Sequence, residues 1–361
     1  MRRRILKVAL WTLAALPVLV LLAFALPVTV WRTGERAAPP LTLVKAGPDA
    51  AMPRRLWIDT DAACGHAADA DADDCFALLL LLRAPGIEVV GISTVGGNAP
   101  ADAGERIVRE LAALAGRQPP VHRGGFIAPP SGDPPAHAAL RAALAEGPLA
   151  IVALGPLTNI AAALRGQPEL AARVGRIVAV MGRRPGHLFH PAEGRGTGIL
   201  LGHGPIFRDF NFDKDRAAAA EIVALGVPVT LIPYEAARSV TLTGANLDAM
   251  AASGGAAAWV AARARGWLGF WANVVGRDGF YPFDALAAAY VLEPALFDCA
   301  TVPAWVSRDR RLWGGFFTPE ALLVGLASER PDAPRASGAA IYCPRVSDTT
   351  HAWLMARLTG R

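Results

Sequence analysis

Short apolar segments alternate with helical patterns over most of the chain, and this alternation constrains the fold more than any other feature. Leu56 to Ile58, Ile87 to Val95 and Ala150 to Leu154 are typical of buried strands. Helical patterns follow the first two, at Cys75 to Leu82 and at Ala101 to Ala115. Because strands joined by helices run parallel, the sequence predicts an α/β fold with an open, doubly wound, mainly parallel sheet.

Carboxylates cluster directly after the first predicted strand. Asp59 and Asp61 end that strand, and an acidic run from Asp69 to Asp74 leads into the next predicted helix. In open α/β sheets, ligands bind at the carboxyl ends of the strands. Clustered carboxylates repel one another, and their hard oxygen atoms favour Ca²⁺ or Mg²⁺ over zinc. The sequence therefore indicates a cation site, although an isolated D-x-D is more often a solvated acidic loop.

Five segments, in order, resemble the inosine-uridine nucleoside hydrolase family. The family begins with D-x-D-P-G-x-D-D, and its four aspartates match Asp59, Asp61, Asp73 and Asp74. The other segments are Ser93-Thr94-Val95-Gly96-Gly97-Asn98, Gly155-Pro156-Leu157-Thr158-Asn159-Ile160, Val180-Met181-Gly182 with Asp209-Phe210-Asn211, and Phe283-Asp284-Ala285-Leu286-Ala287. The resemblance implies a sheet of the nucleoside-hydrolase type and Ca²⁺-dependent hydrolysis of the N-glycosidic bond of ribonucleosides, which gives ribose and free base.

The resemblance also implies roles for single residues. Breaking an N-glycosidic bond needs a positioned water, a base for it and stabilisation of a cationic sugar. The implied Ca²⁺ ligands are the side chains of Asp61, Asp74 and Asp284 and the backbone carbonyl of Leu154. Asp61 would also be the general base for the water. The implied sugar-binding residues are Asp73 and Asn98 at the hydroxyls and Asp209 and Asn211 on the far side, with Asp59 and Asn159 in supporting positions.

The chain departs from the family pattern in two loops. An insertion from Ala62 to Ala72 replaces the family's proline and glycine, and it adds Asp69 and Asp71, which have no counterpart. The long segment 183–207 lacks the asparagine that the family usually supplies to ribose. The polar candidates there, His187, His190 and Glu193, are interpreted as surface loop residues.

Phe283 stands where many family members carry a histidine that protonates the leaving base. Phenylalanine cannot donate a proton, whereas purine-selective members stack an aromatic side chain on the base. We interpret Phe283, with Trp267 or Trp271, as a stacking surface that favours purine ribosides. Core packing is the alternative for all three side chains.

The N-terminus predicts a membrane location. Met1 to Arg4 is basic, and Val8 to Trp31 is almost wholly apolar and long enough to span a bilayer. We expect a single-pass inner-membrane protein with its catalytic domain in the periplasm or outside the cell. Cleavage near Ala25, which would release a secreted enzyme, is the alternative. The predicted organisation is a membrane anchor or signal segment at 1–31, a linker at 32–52 and a nucleoside-hydrolase-like domain at 53–361.

Charge and cysteine content limit the partners. The formal charge is +5, from 36 basic and 31 acidic residues, but no basic stripe with interleaved aromatics is present. Nucleic-acid binding is therefore not expected. The expected partner is a small nucleoside or riboside, and a homo-oligomer stays open. The four cysteines lack metal-site spacing, and Cys299 and Cys343 are predicted to pair because both lie in or beside C-terminal strands; buried free thiols are the alternative.

Two other functions stay open at this point. One is a catalytically impaired ribose- or nucleoside-binding protein on the same scaffold. The other is a metal-dependent hydrolase of a different ester or glycoside. Retention of the whole carboxylate set argues against the first, because simple binding does not need it.

Overall fold

The computed structural model describes residues 11, 14–22, 38–47, 53–125, 134–191, 206–311 and 319–360. The strands in these ranges are β1 (Val44–Lys45), β2 (Arg55–Thr60), β3 (Glu88–Thr94), β4 (Val121–Arg123), β5 (Leu149–Ala153), β6 (Val174–Ala179), β7 (Val229–Leu231), β8 (Phe297–Arg308), β9 (Glu320–Val324) and β10 (Ala336–Val346). The helices are α1 (Asp73–Arg83), α2 (Ala101–Leu114), α3 (Pro135–Glu146), α4 (Thr158–Leu164), α5 (Pro168–Ala171), α6 (Phe210–Lys214), α7 (Arg216–Leu225), α8 (Tyr234–Ala237), α9 (Gly244–Ala252), α10 (Gly255–Phe270), α11 (Phe283–Leu292) and α12 (Thr350–Thr359). A π-helical turn, Trp271–Val275, continues α10, and short 3₁₀ turns occupy Pro294–Leu296 and Ala327–Glu329.

The strands form one mixed sheet in the order β1-β8-β10-β7-β6-β5-β2-β3-β4, with β9 also paired to β8. Every pair from β10 to β4 is parallel. The pairs that β8 makes with β1, β9 and β10 are antiparallel. The predicted α/β class with a mainly parallel sheet is confirmed, and the antiparallel pairs lie towards one edge.

Helices cover both faces of the sheet, and the side-chain alternation of β2 explains why. Leu56 and Ile58 face the core that α1 and α11 complete. Trp57 points the other way, into the core shared with α4 and α7. A strand with apolar side chains on both faces needs cover on both, which is the condition of a doubly wound sheet. The carboxyl ends of β2, β3, β5, β6 and β7 consequently meet at one edge.

Two disulfides are present. Cys299 and Cys343 pair across the neighbouring strands β8 and β10, with Cα atoms 4.1 Å apart, so the predicted pairing is confirmed. Cys64 and Cys75 form a second disulfide, with Cα atoms 6.4 Å apart, which the sequence did not predict. Both pairs are buried.

Part of the predicted linker joins the sheet. Val44 and Lys45 pair antiparallel with Cys299 and Asp298 of β8, and Lys45 Nζ lies 3.0 Å from the Asp298 carboxylate. The end of β8 offers backbone groups that a passing extended segment can pair with. The predicted start of the domain at residue 53 stays a prediction. Val44 and Lys45, which precede it, pair with the sheet.

The predicted single-pass membrane location is wrong. Within the part of the chain that the structure describes, no helix is both long and apolar enough to cross a bilayer. Residues 14–22 are helical. The rest of the predicted span Val8 to Trp31, including the alternative cleavage site near Ala25, lies outside the described residues. The placement of the domain beyond the membrane depended on that span and is withdrawn with it.

Candidate active site

A cavity of about 570 Å³ lies at the edge where the carboxyl ends of the parallel strands meet. The sequence-predicted residues that line it are Asp73, Asn98, Leu154, Asp209, Asn211, Trp267, Trp271, Phe283 and Asp284. Asp61 and Asp74 are fully or almost fully buried beside it and interact electrostatically with Asp284. Residues that are more than 200 positions apart in sequence are thus brought together.

We call Asp61, Asp73, Asp74 and Asp284 the acidic end of this cavity. Asp61 follows β2 and is placed by two glycines. A Cβ on Gly97 would lie 1.9 Å from Asp61 Oδ2, and a Cβ on Gly155 would lie 3.0 Å from its Oδ1. The backbone N–H of Asn98 donates to Asp61 Oδ2 at 2.7 Å. Both glycines belong to the family-like segments, and their lack of a side chain makes room for the carboxylate.

The other three carboxylates of the acidic end belong to the first turns of two helices. Asp73 and Asp74 begin α1, and Asp284 is the second residue of α11. The backbone N–H of Asp284 donates to Asp73 Oδ2 at 2.9 Å, which joins the two helix starts. Thr60 Oγ1 donates to Asp74. Asp284 makes no side-chain cap of α11, so helix capping does not explain it.

Burial and mutual repulsion act on the four carboxylates of the acidic end. Asp61 Oδ1, Asp73 Oδ1 and Asp74 Oδ2 are buried oxygens with no hydrogen-bond partner among the described residues. Burial first, and then neighbouring carboxylates, raise the pKa of Asp61, Asp73 and Asp284 well above the usual range. Burial also raises the pKa of Asp74 to about 6. Mutual repulsion and desolvation of this kind are relieved by a proton or by a cation.

The donor chemistry of the acidic end fits a hard cation. All of its unpartnered atoms are carboxylate oxygens, which suit Ca²⁺ or Mg²⁺. Among the described residues, no three His, Cys, Asp or Glu side chains are arranged closely enough to form a metal-binding group.

Two predicted residues on the far side of the cavity are held by backbone groups. Asn211 Nδ2 donates to the carbonyl oxygens of Leu154, at 2.7 Å, and Val180, at 3.1 Å. The Leu154 carbonyl, an implied ion ligand, is thus already an acceptor. Asp209 caps α6 and accepts the backbone N–H of Gly182 at 2.6 Å. It is buried, which raises its pKa to about 6.

Asp59 and Asn159 lie behind the acidic end rather than on the cavity surface. Asn159 Nδ2 donates to Asp59 Oδ1 at 2.8 Å and to the Thr94 carbonyl at 3.2 Å. Asn159 Oδ1 accepts the backbone N–H of Gly125 at 2.9 Å. Ser93 Oγ also donates to Asp59. These bonds tie the ends of β2, β3 and β4 to the start of α4, and so stiffen the strand ends that carry the site.

Seven aromatic residues of the described chain line the cavity, one of which is the exposed Phe210. We call the other six the aromatic wall: Phe189, Phe207, Tyr234, Trp267, Trp271 and Phe283. Tyr234 stacks on Phe189 with ring centroids 4.8 Å apart and on Phe283 at 6.3 Å. Trp267 meets Trp271 edge-on at 6.1 Å. The predicted helix Gly254 to Val275 changes here to a π-helical turn at Trp271, and such turns are frequent at functional sites. Phe283 is half-buried and lines the cavity, so its side chain is not fully enclosed in the hydrophobic core.

The loop after β6 contradicts the surface interpretation of its histidines. His190 is fully buried. His187 is half-buried, and its Nδ1 lies 2.6 Å from Glu235 Oε1 of α8. A β-bridge joins Phe189 to Phe207, and both residues line the cavity. Glu193 lies outside the described residues.

Sequence reasoning missed several residues that line the cavity: Asp71, Phe189, Phe207, Arg208, Asp213, Lys214 and Tyr234. Tyr234 had a usable signal, because it follows a predicted strand at its carboxyl end. Asp71 stood out as an extra acid but had no assigned role. Phe189 and Phe207 carry no local motif, since their position depends on how a long loop folds back.

Comparison with known proteins agrees with this geometry. A model of the inosine-uridine preferring nucleoside hydrolase family matches residues 56–318. The pyrimidine-specific ribonucleoside hydrolase RihA of Citrobacter koseri is 26% identical over 272 residues, which cover 66% of this chain and 81% of the relative. A protein of Arabidopsis thaliana named probable uridine nucleosidase 2 is 28% identical over 233 residues, or 56% of this chain and 66% of its own.

Solved structures extend the likeness to the fold. A purine-preferring ribonucleoside hydrolase from Gardnerella vaginalis superposes with a TM-score of 0.64 at 21% identity, covering 85% of this chain and 98% of that one. The family match spans well over half of the chain and includes most of the residues that line the cavity. The chain therefore belongs to the inosine-uridine preferring nucleoside hydrolase family and is a nucleoside N-glycosidase.

Proposed function

We propose that this enzyme hydrolyses ribonucleosides with the help of a bound Ca²⁺ and that it prefers purine ribosides. The observation that carries the proposal is one cavity with two chemically different sides, the acidic end and the aromatic wall. A ribonucleoside has two matching parts, a hydroxyl-rich sugar and a flat aromatic base. Its sugar would lie at the acidic end and its base against the aromatic wall.

Ca²⁺ is the expected ion because the donors are carboxylate and carbonyl oxygens. Asp61, Asp74 and Asp284 would hold it with their side chains, and Leu154 with its carbonyl. When bound, the ion supplies positive charge that orients the ribose diol and makes a water molecule a better nucleophile. The unpartnered oxygens of Asp61 and Asp74 support this assignment.

Asp61 is the proposed general base. Its Oδ2 is fixed by the Asn98 N–H, while its Oδ1 has no hydrogen-bond partner in the described part of the chain. The proton of the attacking water would pass to this free oxygen. Burial raises the pKa of Asp61 above its usual range, and a nearby cation would lower it again. Asp73 and Asn98 would bind the ribose hydroxyls, and Asp209 and Asn211 would contact the far side of the sugar.

The purine preference rests on the aromatic wall. Phe283 and Asp284 line the same cavity, so the ring of Phe283 would border the place proposed for the ribose. Stacking on an aromatic ring favours a protonated, electron-poor base, and purines accept a proton at N7, whereas uracil has no equivalent site. Relatives named for pyrimidine, uridine and purine substrates all occur. The names of these proteins therefore do not favour one base, and the proposed purine preference rests on the aromatic wall alone.

A substrate panel tests the proposal. The purified protein is incubated with inosine, adenosine, guanosine and uridine, with Ca²⁺ or with a chelator, and base and ribose release are measured. We expect equimolar base and ribose, faster release from the purine ribosides, and loss of turnover in the chelator. Faster cleavage of uridine would contradict the purine preference. Binding of nucleosides without any release would indicate the impaired binding protein instead.

A further inference from the structure

The insertion from Ala62 to Ala72 ends at the acidic end and is closed by a disulfide. Cys64 bonds to Cys75, and both are buried. Cys64 lies three residues after Asp61, and Cys75 follows Asp74 directly. The covalent link therefore joins the segment after β2 to the start of α1, on either side of the residues that the family pattern does not contain.

The insertion is also held against α10. A Cβ on Gly266 would lie 1.4 Å from the backbone oxygen of Ala68, so only glycine permits this approach. On the same helix, the stem of Arg263 approaches Gly65, where a Cβ would lie 2.9 Å from Arg263 Cγ. Gly65 has a φ of 76°, which favours glycine. The insertion thus has a defined position beside the helix that carries Trp267.

Asp71 is the acidic residue of the insertion that reaches the cavity. It is half-buried, and its Oδ1 accepts the backbone N–H of Asp73 at 3.0 Å. Asp73 in turn accepts the backbone N–H of Asp284 at 2.9 Å, so Asp71 is linked through Asp73 to the start of α11. Asp69, two residues earlier, is exposed and does not line the cavity. Asp71 therefore lies within electrostatic reach of the acidic end.

We propose that Asp71 is a fifth carboxylate of the acidic end, that its charge strengthens cation binding there, and that the disulfide-closed insertion holds it in position. This residue lies outside the ligand set that the family pattern implies. The inference rests on the proposed function, because it assumes the Ca²⁺ of that proposal. The proposal also concerns position. The Cys64–Cys75 bond and the contact of Ala68 with Gly266 would fix where the Asp71 carboxylate lies.

Calorimetric titration with Ca²⁺ tests the charge of Asp71. Asp71→Asn keeps an oxygen that can accept the Asp73 N–H and removes only the charge. We expect it to weaken Ca²⁺ binding by about tenfold. Asp69→Asn removes the same charge from the same insertion and should leave the affinity unchanged. Wild-type affinity in Asp71→Asn would overturn the proposal.

A double-mutant cycle tests the positioning. Gly266→Ala should displace the insertion, and Cys64→Ser/Cys75→Ser should release it. Each change should weaken Ca²⁺ binding in the wild-type background and have little further effect when Asp71 is already Asn. If each change weakened Ca²⁺ binding equally in the wild-type and Asp71→Asn backgrounds, the positional role would be overturned. The glycine variant decides this if the cysteine variant does not fold.

The two proposals fail differently. A wild-type protein that binds no Ca²⁺ and cleaves no nucleoside contradicts the proposed function and this inference together. A wild-type protein that does both, with an unchanged Asp71→Asn variant, contradicts this inference alone.

Discussion

The acidic end and the aromatic wall face the same cavity but are held in place by different forces. Three of the four carboxylates of the acidic end accept a hydrogen bond: Asp61 from the Asn98 N–H, Asp73 from the Asp284 N–H and Asp74 from Thr60 Oγ1. The rings of the aromatic wall are held by stacking and edge contacts with one another. One side is therefore specified by hydrogen bonds and strand ends, and the other by packing.

This difference predicts how each side tolerates change. A buried carboxylate that loses its partner keeps its full desolvation cost, so small displacements have large effects. Ring packing is less directional, and a substituted wall can retain part of its surface. We therefore expect the largest losses at the acidic end and graded losses at the aromatic wall.

The largest effect is expected from Asp74→Ala. Removing this carboxylate takes away one of the implied Ca²⁺ ligands, and we expect Ca²⁺ affinity to fall by about 100-fold or more. The protein should remain folded, because the substitution also removes a buried charge. Calorimetric titration and thermal unfolding measure the two quantities. Asp102→Ala, at an exposed acid of α2, is the control; an unchanged affinity in Asp74→Ala would remove Asp74 from the site.

A glycine substitution can break the acidic end without touching an acid. In Gly97→Ala the new methyl group would overlap Asp61 Oδ2 and push the carboxylate aside. If Asp61 is the base, we expect kcat to fall by about 10²-fold, within the range for lost general-base catalysis. Gly269→Ala in α10, where a Cβ meets nothing closer than 4.0 Å, is the matched control. Equal kcat values in the two variants would contradict the role of Asp61.

A smaller effect is expected at the aromatic wall. Phe283→Ala removes one stacking surface, and base–aromatic stacking is worth about 1–3 kcal/mol per base. The lower end of that range, about 1.4 kcal/mol, corresponds to roughly a tenfold loss of kcat with purine ribosides. We expect the lower end because the other rings of the wall remain, and ribose inhibition should change less. Phe283→Leu, which keeps the apolar volume but not the ring, separates stacking from packing. An unaffected kcat in both variants would make Phe283 a packing residue.

The smallest expected effect is a pH dependence of stability. Burial raises the pKa of Asp74 to about 6 and that of Asp61, Asp73 and Asp284 further above the usual value of 3.8. From about pH 4 to at least pH 6, the folded chain then holds more protons than the unfolded chain. The free energy of unfolding contributed by these groups therefore falls as pH rises through that window.

Thermal unfolding in a chelator should accordingly give a lower Tm at pH 8 than at pH 5.5. Added Ca²⁺ should raise the Tm more at pH 8, where it does not compete with protons. A chelated protein that is more stable at pH 8 would contradict the predicted strain at the acidic end.

The same contrast explains how much could be predicted from the sequence. Asp61 follows a recognisable strand, and Asp73 and Asp74 begin a recognisable helix. Their position at the carboxyl end of a parallel sheet could therefore be predicted. Asp284 needed the family resemblance, because a helix cap explained it equally well. The fold class was readable for the same local reason.

What could not be predicted depends on long-range folding. Phe189 and Phe207, which are 18 positions apart in sequence, both line the cavity and are joined by a β-bridge that carries no sequence signature. The Cys64–Cys75 bond and the docking of the insertion on Gly266 have no sequence signature that fixes them. Val44 and Lys45 looked like linker because two residues of edge strand carry too little pattern to recognise.

The central claim is that the acidic end binds the sugar while the aromatic wall binds the base. A crystal structure of the protein with Ca²⁺ and ribose tests it most directly. We predict an ion bound by Asp61, Asp74 and Asp284, with ribose hydroxyls on Asp73 and Asn98 and the C1 position facing Phe283. Ribose bound away from these carboxylates, or an ion elsewhere in the cavity, would contradict the account.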